Sequence, residues 1–254
     1  MKNKMLKTFV AVILSLSFVL SFAACSFDGS SGDSVKEDLG AGTSEEIPVK
    51  VYDYSDSKVG DYIKLGLYEQ DDNVSNGKEE IEWLVLDIQG DKALIISKYA
   101  LDSQSYHKEF IEVTWETSTL RHWLNNDFLN SAFSNSEQGR IVATTVTNTN
   151  SNNESINDTQ DRIFLLSKYE ASQYFSSDEE RKCAPTIFAA NHGVRQYENY
   201  TADGEGCCYW WLRSPGIYNS WAAGVGSSGI VGYRGNNVKL GYNAVRPAMW
   251  ITIG

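Results

Sequence analysis

The stretch that decides the fold is WWLRSPGIYNSWAAGVGSSGIVGYRGNNVKLGYNAVRPAMWI, residues 210–251. Short apolar runs alternate in it with three turn-forming clusters, GSSG at residues 226–229, RGNN at 234–237 and GYN at 241–243. Gly and Asn tolerate the positive φ angles that tight hairpin turns require. The pattern therefore predicts a glycine-rich β tail of short antiparallel strands with hairpin turns at these three places.

Three earlier strands precede this tail. Residues 60–67 (GDYIKLGL) alternate apolar and polar side chains, and residues 81–88 (IEWLVLDI) and 92–101 (KALIISKYAL) are apolar runs. Gly90 and Asp91 separate the last two runs and form a hairpin signal.

Two helices and one more strand are predicted between the early strands and the tail. The segment at residues 115–133 has Thr117 or Ser118 as a candidate N-cap. Its apolar side chains recur at helical spacing, which predicts that one face is buried; they are Leu120, Trp123, Leu124, Phe128 and Leu129. Residues 163–166 read as a short strand, and Ser167 with Glu170 fits a capping box that opens a brief second helix. Strands, two helices and a β tail make an α+β domain.

Four blocks of the sequence, in this order, resemble an uncharacterised domain family of bacterial surface proteins. They are STLRHWLNNDFLNSAF (118–133), DRIFLLSKYEASQYF (161–175), WWLRSPG (210–216) and AVRPAMWI (244–251). The resemblance covers nearly all of residues 60–254 and implies a C-type-lectin-like fold. Formylglycine-generating enzymes and the variable proteins that retroelements diversify use the same fold. The resemblance also implies framework residues that hold the sheet together, namely Trp210 or Trp211, Arg213, Arg246 and Trp250.

The N-terminus has the charge order of an export signal. Lys2, Lys4 and Lys7 precede an uncharged run from Thr8 to Ala24 that is shorter than the roughly 20 residues of a membrane span. The run ends in FAAC (22–25), which resembles the lipobox of bacterial lipoproteins, although Phe22 stands where that family usually has Leu. We therefore expect residues 1–24 to be a lipoprotein signal peptide. The resemblance implies that Cys25 carries a lipid anchor, which acyl chains would hold stably in the membrane.

The segment after Cys25 is acidic and poor in large apolar side chains, so it buries too little surface to offset its ordering entropy. We expect residues 25–59 to be a disordered tether and residues 60–254 to be one domain. The protein is then extracytoplasmic and lipid-anchored. The net charge of −11 and the lack of a dense Lys/Arg stripe predict that no nucleic acid binds.

The tail is also predicted to face a ligand, because Tyr and Trp offer rigid contact area and Asn and Ser offer adaptable hydrogen bonds. The predicted contact residues are Tyr218, Asn219, Ser220, Trp221, Tyr233, Arg234, Asn236, Asn237, Tyr242 and Asn243. Turn formation alone accounts for the residues at 235–237 but not for the aromatic ones. The variable proteins of the resembled fold are rich in Tyr and Asn at their variable positions. This likeness adds the hypothesis that residues 217–243 are diversified by a retroelement.

The sequence contains no recognisable catalytic or metal-binding motif. Gly224, Gly226 and Gly229 have dinucleotide-loop spacing, but no helical pattern follows them. The histidines form no metal-ligand pair, and residues 209–254 contain no Asp or Glu to bind calcium. We therefore expect a binding protein rather than an enzyme, with no metal and no cofactor, which recognises a protein or a glycan.

Three cysteines remain once Cys25 is set aside. A disulfide from Cys183 to Cys207 or Cys208 is the simplest expectation, and a strained Cys207–Cys208 bridge is the alternative. Two other functions stay open: an oxidase of the formylglycine-generating type that uses these cysteines, and a purely structural envelope protein.

Overall fold

The computed structural model describes residues 53–254, which form a mixed α+β domain of many short strands and a few short helices. The predicted signal peptide, Cys25 and most of the predicted tether lie outside the described residues. Tyr54 is buried against the core and its hydroxyl donates to the carbonyl of Lys64, so the packed unit includes part of the segment that was assigned to the tether. Among residues 53–254, no helix is both long and apolar enough to cross a bilayer.

One antiparallel sheet joins the beginning of the described chain to its end. Its strand order is β1 (Tyr62–Tyr68), β2 (Glu79–Gln89), β3 (Lys92–Ser97) and β13 (Ala248–Thr252). The three early strands are thus confirmed, with a hairpin between β2 and β3 where it was expected. The last strand pairs with β3 from Ala248 opposite Ile96 to Thr252 opposite Lys92, which closes the domain around its buried apolar residues.

A second sheet contains the rest of the tail. Its order is β11 (Val231–Asn237), β10 (Trp221–Val225), β9 (Trp210–Pro215), β12 (Ala244–Val245) and β4 (Asp102–Ser103). All neighbouring strands are antiparallel except β9 and β12. Two separate ribbons pair β5 (Thr144–Val146) with β6 (Thr159–Asp161), and β7 (Gln196–Ala202) with β8 (Glu205–Cys208).

The first predicted helix forms in three pieces. They are α1 (Thr119–Trp123), a π-helical turn (Leu124–Phe128) and α2 (Leu129–Ala132), and Ser118 caps the start by accepting from the backbone N–H of Arg121. The predicted apolar face is buried except for Trp123, which is half-buried. The remaining helices are short: α3 (Asn135–Arg140), α4 (Lys168–Tyr174), α5 (Asp178–Arg181) and α6 (Ile187–Asn191).

The second predicted helix is α4, and its capping box is confirmed. The Ser167 hydroxyl accepts from the N–H of Glu170 at 3.1 Å, and the Glu170 carboxylate accepts from the N–H of Ser167 at 2.7 Å. The strand predicted just before it is wrong. Residues 163–166 are all buried, but only Phe164 forms a β-bridge, to Ala248. Burial alone explains their apolar character.

The turn at residues 226–229 is confirmed, since the N–H of Gly229 donates to the carbonyl of Gly226 between β10 and β11. The turn predicted at residues 234–237 is wrong, because these residues belong to β11. Gly235 has φ +74°, and a Cβ there would lie 2.4 Å from the carbonyl oxygen of Ala222. The glycine therefore sits in an irregularity of the β10–β11 register, where a bulge replaces the expected hairpin turn.

The framework residues of the tail are mostly internal. Trp210 and Trp211 are fully buried, Trp250 is half-buried, and Arg213 and Arg246 are each 3% exposed. The two arginines differ in their partners. Arg213 forms an ion pair with Glu170, whereas within residues 53–254 the hydrogen bonds of Arg246 go only to backbone carbonyls.

The predicted disulfide is wrong for this structure. Cys183, Cys207 and Cys208 are all free thiols, and all three are buried.

Candidate binding site

Three adjoining clefts form a groove beside the second sheet. The first cleft has a volume of about 530 Å³ and lies between α4, residues 147–153 and β11. The second, of about 390 Å³, shares Thr149 with the first. The third, of about 480 Å³, shares Glu112, Ser151, Asn219 and Trp221 with the second. We call the three clefts together the groove.

An ion pair underlies the first cleft. The Arg213 guanidinium binds the Glu170 carboxylate at two points, one of them Nη2 to Oε1 at 2.8 Å. Arg213 also donates to the carbonyls of Thr147 and Leu165. Burial raises the pKa of Glu170, but hydrogen bonds and charge from Arg213 outweigh burial, so the pKa of this carboxyl lies below its usual value. The pair thus connects β9 with α4, and the bonds from Arg213 to the Thr147 carbonyl connect both to residues 147–153.

A cation and two tyrosines border the same cleft. Lys168 is half-buried, burial lowers its pKa, and it forms no ion pair with a carboxylate of residues 53–254. Its Nζ lies 5.8 Å from the ring centroid of Tyr233. The Tyr233 side chain is 64% exposed and Tyr169 is 75% exposed. The cleft thus offers a hydrogen-bond donor beside the Tyr233 ring, with a second exposed tyrosine, Tyr169, at its border.

Asn148 anchors the loop at the first cleft through its side-chain amide. It is buried, and its Nδ2 donates to the carbonyls of Val146 and Asn157 and to the hydroxyl of Thr159. Its Oδ1 accepts no hydrogen bond within the described chain. This oxygen is itself buried, so Asn148 contributes to the first cleft by holding the loop in place.

The second and third clefts meet at the loop between β9 and β10. The Ser151 hydroxyl donates to Oδ1 of Asn219 at 2.9 Å, and the N–H of Val113 donates to the Asn219 carbonyl at 3.0 Å. The rings of Tyr218 and Trp221 meet edge to face, with centroids 5.4 Å apart. Tyr218 is 57% exposed, so this end of the groove is also aromatic.

The 147–153 loop was not predicted to belong to a site, but residues of this loop line all three clefts. It lies within the Asn/Ser/Thr-rich segment from residue 147 to 160. Its composition matches that of the tail, which is a weak signal, but nothing local indicates that it packs on Asn219. Lys168 and Tyr169 were likewise assigned only to a helix.

The predicted contact residues fall into separate places. Tyr233 lines the first cleft, Asn219 and Trp221 line the second, and these two with Tyr218 and Ser220 line the third. Arg234 is exposed, and Asn236 and Asn237 are half-buried on β11, where Asn237 stands opposite Trp221. The last three line none of the three clefts.

The two residues at the end of the predicted face do not join the groove. Tyr242 is exposed, but it packs on Arg195, whose guanidinium lies 5.0 Å from the ring centroid. Asn243 was expected to contact a ligand, and this is wrong because its side chain is 1% exposed. Tyr242 and Asn243 are the two residues before β12, which is three strands away from β11 in the sheet order.

One cluster of carboxylates lies elsewhere among the described residues. The acidic groups of Glu69, Asp71 and Glu79 come within 4.8 Å of one another. Each already accepts a hydrogen bond, for example from the N–H of Asn73 to Glu69 and from the N–H of Gln70 to Glu79. None of the three carboxylates lines the groove.

A family model described as a domain of unknown function, DUF6273, matches residues 90–253, from the turn before β3 through β13. The chain belongs to the DUF6273 family. This agrees with the expectation of an uncharacterised domain family, and β1 and β2 precede the matched DUF6273 region. No curated protein and no solved structure matches the chain.

Proposed function

We propose that this DUF6273 protein is an extracytoplasmic binding protein, anchored by a lipid at Cys25, whose groove recognises a protein or glycan without a metal. In this proposal the domain is C-type-lectin-like and performs no catalysis. The observation that carries it is the groove itself, with aromatic rings open to solvent at both ends and the half-buried Lys168 in its first cleft. Aromatic faces with a few polar groups between them suit sugar rings and extended peptide segments.

The first cleft provides the orienting groups. Lys168 offers donors, and the Arg213–Glu170 pair holds the floor in place. The third cleft provides apolar area through Phe110, Ile217 and Tyr218, all of which are exposed. A ligand that spans the groove would therefore be oriented at the first cleft and held by contact area at the third.

The binding proposal is tested with a glycan array and with capture of partners from cell-surface extracts. Tyr233→Ala and Tyr218→Ala are compared with Tyr62→Ala, which removes an exposed tyrosine of β1 outside the groove. We expect each groove variant to weaken binding about 30-fold, equivalent to roughly 2 kcal/mol for a central aromatic contact. Unfolding curves like those of the parent would show that the domain stays folded. Equal binding by all three variants would defeat the proposal.

The anchor is tested separately, because it rests on the sequence of the first 25 residues. We expect cells that are fed a clickable fatty acid to label the parent chain and to release a Cys25→Ser variant into the soluble fraction. Ala24 directly precedes the cysteine, so Ala24→Gly, which keeps a small residue there, is a mild neighbouring control. Labelling that survives Cys25→Ser would contradict the anchor. The binding face would still stand, since it depends only on the domain.

A further inference from the structure

Arg246 is a buried cation without an acidic partner among residues 53–254. Its Nε donates to the carbonyl of Ser97 at 2.9 Å, and its Nη1 lies 3.5 Å from the carbonyl of Arg181. The rings of Phe175 and Trp210 lie 5.3 and 5.1 Å from the guanidinium. A buried charge without a counter-charge is costly, so a nearby group that can become an anion would be favoured.

The neighbouring group that can do so is the Cys183 thiol. Cys183 and Arg246 line the same cleft, which has a volume of about 220 Å³. Burial raises the pKa of Cys183, but a hydrogen bond from the Cys208 thiol and the charge of Arg246 outweigh burial, so the pKa lies below its ordinary value. Asp203, at the same cleft, acts in the opposite direction. The Cys183 thiol donates to the carbonyls of Lys98 and Ala184, and the nearby charge of Arg246 favours its ionisation to a thiolate.

Cys208 is placed to react with that thiolate. Its backbone N–H donates to the carbonyl of Cys183 at 2.9 Å, and its Sγ lies 3.3 Å from the same oxygen. Burial raises the pKa of the Cys208 thiol, so Cys183 is the member of the pair that becomes a thiolate first. Cys207 directly precedes Cys208 on β8, so its side chain points to the opposite face of the strand. Burial raises the pKa of Cys207 to about 11, which disfavours its thiolate.

We propose that Cys183 and Cys208 are a thiol–disulfide exchange pair, in which Cys183 attacks and Cys208 resolves. This site goes beyond the binding function, since its cleft shares no lining residue with the groove. The oxidant is a disulfide of a small thiol or of a partner protein, which approaches through the cleft between Lys98 and Lys182.

The exchange takes place in two steps, in which every bond broken is matched by a bond formed. The Cys183 thiolate attacks one sulfur of the incoming disulfide, forms a mixed disulfide and expels the other sulfur as a thiolate. Cys208 loses its proton and attacks the Cys183 sulfur, which expels the second thiolate. The two cysteines are oxidised to one disulfide, and the incoming disulfide is reduced to two thiols that take up the two protons.

The test uses the folded full-length chain and oxidised glutathione as the probe. After acid quenching and alkylation, peptides are mapped, with Cys25 read separately. We expect a Cys183–Cys208 link and two reduced glutathione molecules released for each chain. Before the link forms, Cys183 should react at least about tenfold faster than Cys207, because the thiolate population follows the pKa.

Three variants separate the roles of the cysteines. Cys208→Ser should retain one glutathione on Cys183, whereas Cys183→Ser should form neither a mixed disulfide nor a link. Cys207→Ser is the matched control and should behave as the parent. A link that contains Cys207 would overturn the proposal. So would a parent chain whose buried cysteines stay reduced in its folded state while the same chain, unfolded in denaturant, becomes oxidised.

Discussion

The Arg213 guanidinium and the Glu170 carboxylate form a two-point ion pair between β9 and α4, at the floor of the groove. Glu170 is also the residue that completes the capping box of α4. One carboxylate therefore neutralises a buried cation and starts a helix. This double use ties the stability of the domain to the shape of the first cleft.

Glu170→Gln should destabilise the domain by about 3 kcal/mol, because it leaves the Arg213 charge buried without a counter-charge. The free energy of unfolding is measured by urea denaturation. Glu137→Gln is the matched control, since Glu137 completes the capping box of α3 but forms no ion pair with an Arg or Lys of residues 53–254. We expect the control to cost less than about 1 kcal/mol. Equal losses in the two variants would show that helix capping, rather than charge pairing, is the main contribution of Glu170.

The contribution of this ion pair should depend on pH in a defined direction. The pKa of Glu170 is lower in the folded protein than its ordinary value of 4.5. The ion pair therefore stabilises the fold fully above about pH 4.5, and this stabilisation is lost as the pH falls through the lowered folded pKa. The difference in unfolding free energy between the parent and Glu170→Gln should shrink as the pH falls below 4.5, because a protonated Glu resembles Gln. A difference that grows in acid would contradict the assignment.

Local signals were sufficient to predict several elements. Ser167 and Glu170 lie three residues apart, and Leu120, Leu124 and Phe128 recur at helical spacing, so each element could be predicted within one short window. The sign of φ at Gly235 was also predicted correctly, but its role was not. A hairpin turn and a β-bulge both use a glycine with positive φ, and only the β10–β11 pairing, in which Ala222 stands opposite Asn236 beside a register shift, distinguishes them.

The groove depends on contacts between distant parts of the chain, which is why only part of it could be predicted. Ser151 and Asn219 are 68 residues apart, and their hydrogen bond places the 147–153 loop beside the tail. Whether a turn residue is buried also depends on distant parts of the chain. Asn243 and Asn236 look alike in sequence, yet Asn243 is buried while Asn236 is half-buried on a strand. Composition predicted an aromatic surface but not its boundaries.

Gly235→Ala should destabilise the domain by about 2 kcal/mol or more. Alanine at position 235 would have to keep an unfavourable positive φ. Its Cβ would also lie 2.4 Å from the backbone oxygen of Ala222, a clash that a side-chain rotation cannot relieve. Gly139→Ala is the control, because Gly139 lies in α3 with open space around it. There the same substitution should stabilise by about 0.5 to 1 kcal/mol through helix propensity. Urea denaturation of both variants checks the two signs, and a neutral Gly235→Ala would contradict the bulge.

Asn148→Ala should loosen the 147–153 loop, because it removes three hydrogen bonds that the Nδ2 of Asn148 donates to its surroundings. We expect a loss of about 2 kcal/mol in unfolding free energy and faster proteolytic cleavage between residues 149 and 155. Asn152→Ala is the control, since Asn152 is an exposed residue of the same loop whose side chain forms no hydrogen bond within the described chain. Cleavage sites are read by mass spectrometry of limited digests. If both variants are cut at the parental rate, the amide of Asn148 does not hold the loop.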